Sequence, residues 1–116
     1  MFESTHLHCT ITDGVVVATI KCEKIGEYEA TVLQTELQDF IKGFAWKVAL
    51  DFAQVQLLAS VGLGLLVTIN KTCKANKGKA ALFNLNDNLL NLLKITRLNT
   101  GLTICKSQDE AVKAAK

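Results

Sequence analysis

Asp13-Gly14 stands between two runs of β-forming residues, Leu7 to Thr12 (L-H-C-T-I-T) and Val15 to Ile20 (V-V-V-A-T-I). No other feature constrains the fold as much. A two-residue hairpin needs positive φ at its central positions, and Asp-Gly tolerates this better than almost any other pair. The chain is therefore expected to open with an antiparallel hairpin. The first run alternates apolar and polar residues. The second is apolar throughout its first half, which predicts a strand covered on both faces.

Beyond the hairpin the period changes. Val32, Leu33, Leu37, Phe40, Ile41 and Phe44 recur at three- and four-residue steps, predicting an amphipathic helix from about Tyr28 to Lys42 that ends at Gly43. Trp46 to Asp51 reads as a strand ending in a carboxylate. A second helix is expected from Ser60–Gly62 to about Asn76, with Leu65, Leu66, Ile69 and Cys73 on one face and Gly78 ending it. Lys79 to Asn84 is another strand. Asn86 or Asp87 caps a third helix through Leu89, Leu90, Leu92 and Leu93. Leu102 to Cys105 is a short last strand, and Ser107 with Glu110 forms a capping box for a final helix. Strands alternating with helices imply an α/β fold: an open, mostly parallel mixed sheet with an N-terminal β-hairpin and about four helices. At 116 residues the chain makes one domain, 1–116.

Composition removes several classes of function. Hydrophobic residues make up 49% and charged residues 21%, which excludes a disordered tail and a disulfide scaffold. A formal net charge of +2 is too mild to imply nucleic acid. Cys9, Cys22, Cys73 and Cys105 form no C-x-x-C pair, so no metal site is expected and the thiols read as small reduced hydrophobes. His6 and His8 could share one side of a strand but have no third ligand nearby. The start carries Glu3, His6 and His8 where a signal peptide needs an apolar run, so a cytoplasmic location is expected. Phe52 to Asn70 is uncharged over 19 positions, close to a spanning length. Gln54, Gln56, Ser60, Thr68 and two glycines break it, so a buried loop leading into a buried helix is expected instead of a membrane span. Lys71, Lys74, Lys77 and Lys79 read as a solvated face.

Sites in parallel sheets lie beyond the carboxyl ends of the strands. The loop after the Trp46 to Asp51 strand runs Leu57-Leu58-Ala59-Ser60-Val61-Gly62-Leu63-Gly64-Leu65. A serine at a helix start would place a phosphate near free N–H groups and the positive end of the helix dipole. The two glycines would admit a partner backbone. The plainer alternative is that Ser60 caps the helix and Gly62 and Gly64 let it pack tightly. The segment fits neither nucleotide-binding glycine pattern nor the hydrolase elbow. Asp39, Asp51 and Asp87 make no acid–base pair, so neither an enzyme nor a cofactor is indicated.

At this loop the chain resembles the STAS domain family (sulphate transporter and anti-sigma factor antagonist). Ala59-Ser60-Val61-Gly62-Leu63-Gly64 corresponds to the family's D-S-[ST]-G-L-G signature. Lys77-Gly78-Lys79 with Leu82 to Leu85, then Leu89 to Leu98, then Asp109-Glu110-Ala111-Val112 follow in the family's order. The signature aspartate is Ala59 and the second hydroxyl is Val61. Lys21-Cys22-Glu23-Lys24 replaces the usual glycine-acid-aspartate element, and Arg97 stands where the third helix has glycine. The resemblance implies a bacterial anti-sigma factor antagonist acting by partner switching. Its partners would be an anti-sigma factor with serine kinase activity and a resetting serine phosphatase. Ser60 would be the phosphoacceptor, within an Ala59, Ser60, Val61, Gly62, Leu63 and Gly64 contact loop. The rival expectations are a STAS module that scaffolds a signalling or lipid-transport complex without switching, and one that binds a nucleotide or lipid at the same helix start.

Overall fold

The expected hairpin forms. Strand β2 (Leu7–Thr12) pairs antiparallel with β3 (Val15–Ile20) from Leu7↔Ile20 to Thr12↔Val15. Asp13 (φ 52°) and Gly14 (φ 80°) carry the left-handed turn between them. A computed structural model describes residues 2–116 of the chain. Before the hairpin, a two-residue strand β1 (Phe2–Glu3) adds antiparallel to β2; it is too short to show any periodicity.

Three crossovers between parallel strands follow. Strand β4 (Lys24–Ile25) leads into α1 (Glu27–Ile41), and β5 (Lys47–Asp51) lies parallel to β3. Strand β6 (Leu57–Leu58) leads into α2 (Ser60–Ala75), and β7 (Lys79–Phe83) lies parallel to β5. Helix α3 (Asp87–Ile95) precedes β8 (Thr103–Ile104), parallel to β7, and α4 (Gln108–Ala115) closes the chain. The main sheet has the order β1-β2-β3-β5-β7-β8, and β4 and β6 form a separate parallel pair.

Strand β3 is covered on both faces, as its run of valines requires. Val16, Ala18 and Ile20 pack with Leu33, Leu37, Leu66, Ile69, Leu89 and Leu93 from α1, α2 and α3. Val15 and Val17 face the other way, with Ala49, Ala81 and Phe83, against Ala111, Val112 and Ala115 of α4. Alternation along each strand thus feeds two cores, one on each side of the sheet.

Two helix ends differ from expectation. Gly43 does not terminate α1. The chain runs through a 3₁₀ turn (Lys42–Phe44), and the left-handed residues are Ala45 and Trp46, both with φ 60°. Trp46 N–H donates to Ile41 O at 3.2 Å, and the ring packs on the core; this packing outweighs the local glycine signal. After α2 the left-handed residue is Lys77 (φ 64°). Gly78 is needed for space, because a Cβ there would sit 2.0 Å from Trp46 O.

Candidate functional site

The carboxyl end of β5 anchors the loop that carries Ser60. Asp51 Oδ1 accepts from Ala53 N–H (2.9 Å) and Asn84 Nδ2 (3.1 Å), and Oδ2 accepts from Thr19 Oγ1 (3.3 Å). One carboxylate thereby joins the ends of β3, β5 and β7. Phe52 and Val55 turn inward and are buried, while Ala53 and Gln54 stay exposed. Asn86 Nδ2 donates to Val55 O at 3.3 Å.

The β4–β6 pair then sets the position of the helix. Gln56 and Leu57 N–H both donate to Glu23 O (2.7 and 3.0 Å), and Ala59 N–H donates to Ile25 O (3.1 Å). This pairing was not legible in the sequence. Two-residue strands carry no pattern, and their partners lie more than thirty positions apart.

Ala59 is the N-cap of α2 and makes no side-chain cap bond; Ser60 is the first helical residue. The capping alternative for Ser60 is thus not what the backbone does. The other three helices do have side chains at their starts. Glu29 accepts from Gly26 N–H at 3.0 Å, Asn86 from Leu89 N–H at 2.8 Å, and Ser107 from Glu110 N–H at 3.3 Å. Glu110 takes Lys106 N–H (2.8 Å), one residue before the capping-box position. Helix α2 also has no acid in its first turn. Its positive end is the one left without an anionic or capping side chain.

The six loop residues lie together at the start of α2 but differ in exposure and in what they touch. Ser60, Val61 and Gly64 are exposed, Ala59 and Leu63 are half-buried, and Gly62 is buried. A Cβ on Gly62 would lie 3.0 Å from Ile25 O and 3.1 Å from Leu58 Cδ2, so this glycine seats α2 on the β4–β6 pair. Nothing lies within 4 Å of the Cβ position at Gly64. Packing explains Gly62 and leaves Gly64 open to an approaching backbone. Beside Gly64, a shallow groove of about 380 Å³ separates Val61 and Thr68 of α2 from Glu27 and Thr31 of α1. Leu57 (58% exposed), Val61 (44%) and Tyr28 (67%) make this end apolar around the serine. Chemically, the surface can dock a partner and accept an anion at Ser60.

Other sequence candidates are dispersed. His8 Nδ1 meets Glu3 Oε1 at 2.6 Å, and Glu3 Oε2 takes Lys21 Nζ at 2.5 Å. The lysine and the histidine hold the Glu3 carboxyl below its usual range. His6 instead sets its ring edge against Tyr28, with centroids 5.7 Å apart. The two histidines therefore have separate partners. No group of three or more His, Cys, Asp or Glu side chains is gathered among the described residues. Cys9, Cys22 and Cys73 are buried free thiols and Cys105 is half-buried. Burial pushes Cys9 up to about 12 and Cys73 to about 11. Among the described residues no helix is long and apolar enough to cross a membrane.

The fold is shared with proteins of known structure. One is a Thermotoga maritima protein provisionally assigned as an anti-sigma factor antagonist. It is 24% identical, with a TM-score of 0.81 over 97% of this chain and 98% of its own. An anti-sigma-factor antagonist (STAS) domain protein from Planctomyces limnophilus is 21% identical, with a TM-score of 0.81 over 93% and 95%. The unphosphorylated anti-sigma factor antagonist SpoIIAA, named elsewhere as a Bacillus cell fate determinant, is 14% identical, with a TM-score of 0.70 over 93% and 94%. At these identities the likeness is one of fold. The STAS domain family model matches residues 8–111, from the first core strand into the last helix, and the chain belongs to the STAS domain family.

Proposed function

We propose that this domain is an anti-sigma factor antagonist that works by partner switching through the Ala59–Gly64 surface. An anti-sigma factor with serine kinase activity docks on Val61, Leu63 and the open backbone at Gly64. It then transfers the γ-phosphoryl group of ATP to Ser60 Oγ, with loss of the hydroxyl proton and release of ADP. A serine phosphatase resets the domain. The domain supplies the acceptor and the contact surface and no catalysis of its own, and it would act in the bacterial cytoplasm. The observation that carries this reading is an exposed serine at the one helix start without a capping side chain, ringed by Leu57 and Val61.

The energetics favour a switch. An apolar contact tolerates a hydroxyl but opposes an unpaired phosphate of roughly −1.5 to −2 charge, which must be desolvated on docking. The α2 dipole favours that phosphate in the free domain. Both effects favour release. Calorimetry against the cognate anti-sigma factor should show Ser60→Ala binding like the parent and Ser60→Asp about tenfold weaker, roughly 1.4 kcal/mol. Equal affinities would defeat the mechanism.

A second reading has its own support in Ala59, which leaves the N-cap without the family's carboxylate. On that reading the domain scaffolds a complex, or holds a nucleotide or lipid, without being modified. Mass spectrometry after incubation with the anti-sigma factor and ATP separates the two. Phosphate on Ser60 supports switching, and its absence in the parent favours the scaffold.

A further inference from the structure

The near-neutral net charge conceals a strongly polar charge distribution. Strands β3, β5 and β7 run parallel, so every helix that follows one of them starts near their carboxyl ends and finishes at the opposite end. Lys42, Lys74 and Lys77 stand at the finishing ends of α1 and α2, while Lys47 and Lys79 open β5 and β7. Lys113 and Lys116 close α4 at the same end. The acids there are Asp39 and Asp13, and Asp13 already pairs with Lys116 at 3.3 Å. Lys42, Lys47, Lys74, Lys77 and Lys79 pair with no described acid. The Ser60 end carries an excess of acids, with Glu23, Glu27, Glu29, Asp51, Asp87 and Asp109 against Lys24 and Lys106.

Compensation of helix dipoles accounts for Lys42 and Lys74. It does not account for Lys47 and Lys79, which are direct partners on neighbouring strands. By strand alternation they leave the sheet on the face of Ala49 and Ala81. Like charges so placed repel, and an outside anion would relieve them.

We propose that this basic pole docks the domain on an anionic phospholipid membrane surface. Three features select a lipid surface over a nucleic acid. The cations at the pole are lysines but for Arg97, which follows the finishing end of α3 beside Lys94; a lysine is a point charge without the bidentate and stacking geometry of arginine. The lysines are spread over both faces of the sheet, and the helix N-termini that seat individual phosphates are at the other end. Finally, the aromatics of the Lys42-to-Lys47 connection, Phe44 and Trp46, are half-buried and packed on the core, so they offer no stacking platform for nucleic-acid bases. Ser60 faces away from the membrane in this pose, so the switching surface stays accessible.

The test is co-sedimentation of the full chain with vesicles of phosphatidylcholine alone and of an equal mixture with phosphatidylglycerol. Trp46, the single tryptophan, reports contact by a blue shift of its emission. Binding should require the anionic lipid and disappear at high salt. Each lysine near an anionic surface contributes about fivefold, so Lys47→Gln with Lys79→Gln should lose roughly thirtyfold in partitioning. The same double change at the opposite end, Lys24→Gln with Lys106→Gln, should lose little. Circular dichroism checks that both variants are folded. Failure to sediment with anionic vesicles, equal binding to neutral ones, equal losses in the two variants, or tighter binding to duplex DNA would each overturn the proposal. None of these outcomes bears on Ser60.

Discussion

Ala59→Asp tests the description of the α2 start most directly. Ala59 holds the extended N-cap conformation, φ −77° and ψ 170°, that a capping side chain requires, so the substitution needs no backbone change. An aspartate there would accept from the N–H of Val61 or Gly62, at the second and third helical positions. Gly62 N–H otherwise turns back to Ala59 O at 2.9 Å. Exchange of alanine for a capping residue is worth about 0.5–2 kcal/mol, typically ~1. The bare first turn places the dipole contribution on the favourable side. At about 2.1 cal/mol/K per residue, 116 residues give an unfolding entropy of roughly 0.24 kcal/mol/K. One kilocalorie therefore raises Tm by about 4 °C. The sign with pH follows from linkage. Helix N–H donors hold the folded carboxylate below its unfolded pKa of about 3.9, so the gain is complete above that value and fades as pH falls through the folded pKa. Urea denaturation at neutral pH should show a higher midpoint with an unchanged slope. The advantage over the parent should shrink toward zero in acid. A lower midpoint at neutral pH, or a gain that persists undiminished in acid, would refute the capping argument.

The two signature glycines should respond in opposite directions. Gly62→Ala meets Ile25 O at 3.0 Å and Leu58 Cδ2 at 3.1 Å and should cost about 1–3 kcal/mol as an overpacked site. Gly64→Ala fills open space within a helix and should stabilise by roughly 0.5–1 kcal/mol. Chemical denaturation of both variants checks this, and a Gly64→Ala domain that is more stable yet binds its partner less well would mark a backbone contact there. Thiol labelling under native conditions near pH 8 should modify Cys105 first. Cys9 and Cys73 should stay protonated and protected until the domain unfolds, because burial raises their pKa to about 12 and 11. Mass-resolved alkylation time courses would show the order, and early loss of Cys73 would contradict its burial.

What a short window of sequence encodes is visible in the finished fold. Asp13-Gly14 carries its own turn geometry, and Asn86 and Ser107 cap the helices they precede because capping spans only three residues. The apolar period places Leu33, Leu37, Leu66 and Ile69 in the core, since a helix face is defined by spacing alone. The six loop residues at Ser60 were also legible, through the signature they resemble and the glycine spacing within it. Their separate tasks were not. Gly62 seats the helix and Gly64 stays open only because β4 and β6 meet across the sheet end, and that contact joins residues far apart in the chain. Trp46 takes a left-handed conformation against its own preference because the core holds its ring. His8 pairs with Glu3 in place of its strand neighbour His6 because β1 adds to the sheet edge. The charged poles arise in the same way. Each lysine is unremarkable in its own segment, and the parallel crossovers, by returning every strand start to one end, collect them there.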